Sequence, residues 1–176
     1  GESKEGHMRF ARKVTESLKI VRLYSTIWLN KLTQEYVEVD PKKNFLYPEA
    51  KNFNGLLKQL CDQAEKPFYA HSTFHQQLLL ADRPDRPNEV LYKTIARFFY
   101  QPYSYYILSS ISFARLLRYV MPPIRKVVDL PQFDGYHKYA VDIHSMKCVY
   151  HLEHIEDPFI QDLFEALNAE EKAMLK

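Results

Sequence analysis

The histidines are the side chains of this sequence whose spacing could support metal chemistry. His71 and His75 are four residues apart, as in the HExxH pattern of zinc proteases, but the glutamate of that pattern is missing. His151 and His154 are three residues apart beside acidic residues, and this spacing favours an exposed polar face over an ion. His144 and His151 would lie ~10 Å apart along a helix axis, whereas zinc–nitrogen bonds are ~2 Å long. They cannot share one ion.

The glycine content excludes two large classes of nucleotide site. The chain has four glycines, and Gly1 and Gly6 fall in a leader that resembles an expression-tag remnant. Gly55 and Gly135 remain, too few for a dinucleotide fingerprint or a Walker-type phosphate loop. The sequence also lacks a nucleophile elbow and a readable catalytic triad.

Length and charge indicate one folded protein without a charged macromolecular partner. The chain has 176 residues, 46% of them hydrophobic, and a formal net charge of +2, so neither nucleic acid nor a membrane surface is expected as a partner. The apolar stretch 105–117 is too short and too polar to span a bilayer. Cys61 and Cys148 show no metal or redox spacing, so we expect buried free thiols in the cytoplasm.

Apolar periodicity predicts an all-α fold, an irregular bundle of about seven to nine helices without a substantial sheet. A stripe from Phe10 to Tyr36 predicts one long, heavily buried helix. Further helices are expected near residues 56–64, 74–79, 90–99, 103–121 and 141–155, with a connector over 127–133.

Capping signals add two more helices and mark several boundaries. Asn88 is placed to cap the helix that follows it, and Asp157-Pro158 matches an N-cap followed by proline. Asn168 and Glu171 form a capping-box pattern that opens a last helix, which has only begun at Lys176, so the sequence looks cut. Residues 82–128 carry eight basic and three acidic side chains, and residues 129–176 carry four and ten, a pattern typical of two solvated faces that attract each other.

The segment Gln132-Phe133-Asp134-Gly135-Tyr136-His137-Lys138-Tyr139-Ala140-Val141-Asp142-Ile143-His144-Ser145 is similar to a known motif. It resembles Q-x-D-x-Y-H-x-Y-T-V-D-E-H-T, which opens the HD phosphohydrolase domain of the bifunctional PII uridylyltransferase/uridylyl-removing enzymes. The stretch 116–131 resembles the part of that family that leads out of its helical linker. Ala140, Ile143 and Ser145 depart from the motif, so the chain would be a divergent member.

The leader predicts a tag remnant at residues 1–8. The resemblance implies a helical linker domain at 9–128, and a connector with the first helices of a truncated HD domain at 129–176. It implies that His144 is the first metal ligand of an incomplete HD site, because no histidine here is followed by aspartate. The parent enzyme would use Mg²⁺ or Mn²⁺ and act on a PII-type signal protein, whereas this chain has no cofactor and no catalytic residue, and is expected to be inactive. His137 would anchor the loop, and residues 122–135 could act as a hinge.

Two other functions remain open at this point. The chain could be a complete all-helical protein-protein interaction module that uses the tyrosine-rich stretch 100–106 as its docking surface. It could also belong to another HD-family phosphohydrolase, acting on nucleotides or on tRNA 3′ ends. A reading frame that continues into a helix ending in His-Asp would favour either enzyme over the interaction module.

Overall fold

A computed structural model describes residues 3–32, 43–131 and 139–176, with side chains for residues 3–25 of the first range. These residues form nine α-helices and one pair of two-residue parallel strands, which confirms the predicted all-α, irregular bundle. The helices are α1 (Lys4–Leu32), α2 (Phe53–Gln63), α3 (Ser72–Leu80), α4 (Glu89–Ala96), α5 (Ser104–Phe113), α6 (Leu117–Val120), α7 (Val141–Glu153), α8 (Pro158–Glu165) and α9 (Ala169–Leu175). The strands are β1 (Phe45–Leu46) and β2 (Tyr69–Ala70).

The capping signals in the sequence are confirmed. The Asn88 side chain accepts a hydrogen bond from the Leu91 N–H at 3.0 Å, which satisfies one free donor at the start of α4. Asp157 caps α8 in the same way. At α9 the capping box is complete, since Asn168 and Glu171 bond each other's backbone N–H.

The helix predicted over 103–121 is broken in the structure. α5 ends at Phe113, and Arg115 adopts a left-handed backbone conformation with φ 62°. The Leu116 N–H donates to the Ile111 carbonyl, and the Arg115 N–H donates to the Ser112 carbonyl, both at 3.0 Å. This is a Schellman ending, in which glycine usually occupies the left-handed position. An arginine there gives no sequence signal for a helix end.

The hydrophobic core surrounds α5. This helix packs against α2, β2 and α6, and α7 lies along it. Its side chains Ile107 and Ile111 are fully buried. They belong to a core cluster with other fully buried apolar residues: Leu56, Leu57, Leu60, Phe74, Leu78 and Phe98. α7 is therefore positioned by the centre of the fold.

α1 differs from its prediction as a heavily buried helix. Among its described side chains Leu23 is buried, whereas Phe10, Leu18 and Val21 are 62–69% exposed. Polar contacts attach α1 to the rest of the fold, including the Arg12 guanidinium, which donates to the Val128 carbonyl at 2.8 Å. Apolar periodicity identifies the stripe on a helix, but it does not say whether another element covers that stripe.

No helix among the described residues is both long enough and apolar enough to cross a bilayer.

Residues 33–36 of the predicted first helix and residues 132–135 of the proposed hinge lie outside the described residues. The prolines at 122 and 123 begin a 3₁₀ turn, Pro122–Lys126.

Two isoleucines offer a matched test of the core. We expect Ile107→Ala to lower the free energy of unfolding by about 2–5 kcal/mol, because Ile107 is fully buried and its truncation leaves a cavity. Ile160 of α8 is 51% exposed, so Ile160→Ala should cost less than about 0.5 kcal/mol. Urea unfolding of the two variants measures both values, and equal losses would contradict this assignment of the core.

Candidate functional site

His144, the predicted metal ligand, lies in the first turns of α7 and is exposed. Its backbone N–H donates to the Ala140 carbonyl at 2.9 Å. Ala140 is the N-cap residue and provides no side-chain hydrogen bond. The threonine that the motif has at this place could provide one. The start of α7 therefore depends on other contacts.

Asp129, in the connector before α7, is the centre of a buried charge cluster. Its side chain is fully buried, and its backbone is left-handed with φ 56°. Lys19 of α1 and Arg115 after α5 both form ion pairs with its carboxylate, and the Arg118 guanidinium of α6 lies 3.5 Å away. One carboxylate thus binds cations from three separate segments of the chain.

The cations keep Asp129 ionised. Burial by itself would raise the pKa of this carboxyl, because a charged group loses its hydration. Hydrogen bonds from Arg115 and Lys19, and the positive charges of both, overcome that effect and hold the pKa of Asp129 below its ordinary value. The cluster is therefore a stable ion-paired junction at neutral pH.

Asp142 joins this junction to the beginning of α7. It is fully buried, and its carboxylate accepts a hydrogen bond from the backbone N–H of Asp129 at 3.1 Å. Its other oxygen lies 3.5 Å from the Lys19 ammonium. A carboxylate in the first turn is also favoured by the helix dipole. Asp142 thus fixes the end of α7 that carries His144.

Glu153 fixes the opposite end of α7. Its two carboxylate oxygens accept hydrogen bonds from the backbone N–H groups of Ser104 and Tyr105 at 2.6 and 2.7 Å. These are free donors at the start of α5, where the N-cap residue Tyr103 gives no side-chain bond. Lys176 forms an ion pair with the same carboxylate at 2.7 Å, and the Glu153 side chain is fully buried. α7 is therefore held at both ends by buried carboxylates.

Two of the other histidines have structural roles. His71 is the N-cap of α3, where its Nδ1 accepts a hydrogen bond from the Thr73 N–H at 3.2 Å. His154 donates from Nδ1 to the Tyr150 carbonyl at 2.7 Å, so its Nε2 accepts from the Tyr106 hydroxyl at 3.0 Å. The prediction that His154 lies on an exposed face was therefore wrong, although His151 is exposed.

His75 differs from His71 and His154 because its ring makes no hydrogen bond within the described residues. It is 7% exposed, and neither ring nitrogen has a hydrogen-bond partner among the described residues. Burial, with a smaller contribution from the positive charge of protonated His71, lowers the pKa of His75 to about 4. The imidazole is therefore neutral at pH 7, and buried polar atoms in this state are rare in folded proteins.

The described residues do not provide a ligand set for a divalent metal. They contain no group of three or more histidine, cysteine, aspartate or glutamate side chains placed to hold an ion. His137 lies outside the described residues.

Sequence reasoning missed Asp129, Asp142 and Glu153. One signal pointed to them, the acidic segment 129–176 that follows the basic segment 82–128. We interpreted it as attraction between solvated faces, but Arg115 pairs with Asp129, whose side chain is fully buried. Of the two cysteines, both free, Cys61 is buried as expected and Cys148 is exposed.

The junction at Asp129 can be tested by an isosteric change. We expect Asp129→Asn to lower the free energy of unfolding by about 3 kcal/mol, because it leaves Lys19 and Arg115 without their buried counter-charge. The matched control is Asp62→Asn, which removes an exposed ion pair with Arg97 and should cost less than about 1 kcal/mol.

The two variants should also differ in their acid unfolding. A carboxyl with a depressed folded pKa contributes stability above its unfolded pKa of ~3.9 and loses it as the pH falls further. The Asp62→Asn variant should keep this loss of stability below about pH 4, and Asp129→Asn should show less of it. Identical acid profiles from chemical denaturation would contradict the assignment.

His75 should make the free energy of unfolding depend on pH in a second, higher range. Its folded pKa of about 4 lies below the ~6.5 of an unfolded imidazole, so protonation favours the unfolded chain. Stability should therefore fall by about 3 kcal/mol as the pH drops from about 6.5 to about 4. His75→Phe should remove this part of the loss, and His151→Phe, at an exposed site, should not. Urea midpoints across this range measure it, and parallel curves for the two variants would be the contrary result.

Comparisons with protein-family models, with curated proteins and with solved structures found no match for this chain.

Proposed function

We propose that this chain is the helical linker and the first part of the HD domain of a cytoplasmic uridylyltransferase-like nitrogen-signalling enzyme. Its role is mechanical, since it holds α7 and the imidazole of His144 in a fixed position relative to the linker. The observation that carries this proposal is the anchoring of α7 at both ends by Asp142 and Glu153. A helix that needed only to pack would not require a buried carboxylate at each end.

The contacts of Glu153 and Asp142 favour a rigid linker over a hinged one. A rotation of α7 away from α5 would separate Glu153 from two backbone donors and expose an unpaired helix start. It would also pull Asp142 away from the Asp129 N–H. We therefore assign Asp142 and Glu153 the role of a brace on α7, which keeps the two active sites of the parent enzyme at a constant separation.

The resemblance of residues 132–145 to the HD-domain motif suggests which reactions the parent enzyme would catalyse. In the parent enzyme, UMP would be transferred to a PII-type signal protein and removed from it at the HD site. The partners of this chain would then be that protein and the other domains of the parent. The chain itself contributes position and no catalytic group.

A second candidate function, a protein-protein interaction module, is favoured by the exposed apolar side chains of α8. Phe159, Ile160 and Leu163 lie on neighbouring positions of this helix and are 51–71% exposed. Within the tyrosine-rich stretch 100–106, Tyr106 is 8% exposed and Tyr103 and Tyr105 are partly buried against the core, whereas Tyr100 is 55% exposed. In the parent enzyme, another domain would cover the same face of α8.

The brace is tested in the parent enzyme. We expect Glu153→Gln to reduce removal of UMP from a uridylylated PII-type protein by about tenfold to a hundredfold, because a small misplacement of an active-site element has effects of this size. Glu89→Gln, an exposed change on α4, should leave the rate unchanged. A normal rate for Glu153→Gln would overturn the brace, and a wild-type enzyme without this activity would overturn the family assignment.

A metal titration tests the isolated chain. We expect calorimetry with Mn²⁺ to detect no binding tighter than ~1 μM, or about −8 kcal/mol, because the described residues provide no ligand set. Tighter binding that His144→Ala abolishes would contradict the view that the site is incomplete.

A further inference from the structure

α1 packs against the rest of the protein mainly through a charged side. Arg12, Glu16 and Lys19 recur every three or four residues, so they share one side of the helix. On this side Glu16 forms an ion pair with Arg118 at 2.6 Å, and Lys19 forms one with Asp129. Helices at the surface of globular proteins normally turn their apolar side inward. The orientation of α1 is therefore the reverse of the usual one.

The opposite side of α1 carries an exposed apolar stripe. Its residues also recur every three or four positions, about half a turn away from the charged side, and extend for about 21 Å along the helix axis. This α1 stripe consists of Phe10, Val14, Leu18, Val21 and Tyr24, which are 42–69% exposed. A contiguous apolar patch of this kind on a folded protein marks a contact surface.

Positive charge surrounds the α1 stripe. Residues 4–25 contain six lysine and arginine residues and two acidic residues. Lys4, Arg9 and Lys13 are exposed. Of the two acidic residues, Glu5 is exposed, whereas Glu16 is used in its ion pair with α6. A partner of the α1 stripe should therefore be both apolar and acidic.

α8 presents a surface with these two properties. Its exposed apolar side chains Phe159, Ile160 and Leu163 form what we call the α8 face. Residues 156–171, which include this face, contain six acidic residues and no lysine or arginine. Asp157 and Asp162, next to the α8 face, are both exposed. One chain thus carries an apolar surface with positive charge around it and another with negative charge around it.

We propose that the α1 stripe of one chain binds the α8 face of a second copy of the same chain. Opposite charges then surround an apolar centre, which is the arrangement of specific protein interfaces. Pairing of two α1 stripes would bring the exposed cations Arg9 and Lys13 of both copies together, and pairing of two α8 faces would do the same with carboxylates. The contact is therefore heterologous, because each copy contributes a different surface.

This contact goes beyond the proposed function and does not depend on it, since it involves neither His144 nor a PII-type protein. It also identifies what covers α8. In the parent enzyme, the domain on the α8 face would be the linker domain of a second copy.

The two surfaces are large enough for a weak, reversible contact. Their eight apolar side chains are 42–71% exposed. Since a fully covered Phe or Tyr buries ~150–250 Å², these side chains together would bury roughly 700–900 Å². With a polar rim, the contact lies near the lower limit of about 1,200 Å² for specific interfaces. We therefore expect a Kd on the order of 10–100 μM.

Analytical ultracentrifugation of the chain tests the association. Each copy carries both surfaces, so copies add head to tail, and the average mass should rise with concentration from about 10 μM to about 1 mM without stopping at a dimer. Raising NaCl from about 0.05 to about 0.5 M should weaken the association about tenfold, because salt screens exposed charges.

Two variants identify the surfaces that meet. Leu18→Glu disrupts the α1 stripe, and Leu163→Lys disrupts the α8 face, so each variant alone should be monomeric. An equal mixture of the two should form a 1:1 dimer and nothing larger, because the first variant keeps an intact α8 face and the second an intact α1 stripe. This dimer also shows that both variants fold. Val90→Glu, at a 59% exposed position of α4, should associate like the unchanged chain.

Four results would overturn the proposal. The first is a chain that stays monomeric up to about 1 mM at low salt. The second is a mixture of the two variants that stays monomeric while the unchanged chain associates. The third is a Leu163→Lys variant that still dimerises, which would show pairing of two α1 stripes. The fourth is a monomeric chain that sediments with anionic phosphatidylglycerol vesicles unless it carries Leu18→Glu, because a membrane would then cover the α1 stripe.

Discussion

The buried carboxylate of Asp129 is the group on which the arrangement of α1, α6 and α7 depends. Removing a carboxylate from water costs several kcal/mol unless cations surround it, and here Lys19, Arg115 and Arg118 come from three segments that are distant in sequence. Asp129 and Arg115 both have a left-handed backbone, which costs about 1–3 kcal/mol at each residue. Their ion pair holds both residues in this conformation. The same junction carries the N–H that binds Asp142, so the position of α7 follows from it.

Glu153 and His75, both buried near α5, contrast in how their polar atoms are satisfied. Glu153 has three partners, and it satisfies donors of another helix while it anchors its own. His75 has none among the described residues, and burial keeps it neutral. Satisfied buried charges fix one structure, whereas an unsatisfied buried group lowers stability. This difference is why we assign a structural role to Glu153 and a cost in stability to His75.

Much of the fold was predictable from local signals. Asn88, Asp157 and Asn168 were identified as caps because a cap needs one short polar side chain at a helix start, which the sequence displays directly. The helix end at Arg115 was missed, because a long basic residue in a glycine-favouring conformation is stabilised by Asp129, a contact across the fold. The burial of residues 3–25 of α1 was overestimated, because apolar periodicity does not show whether another element covers the apolar stripe.

The sequence by itself determined the helical class, the starts of α4, α8 and α9, and the motif that contains His144, since these depend on composition and on spacings of a few residues. The tertiary structure decided which acidic residues are buried, which cations neutralise them and which histidine lacks a partner. Those outcomes depend on distances between segments that are up to about 120 residues apart, such as Lys19 and Asp142. Coulombic attraction and desolvation act through space, so a pattern along the chain cannot specify them.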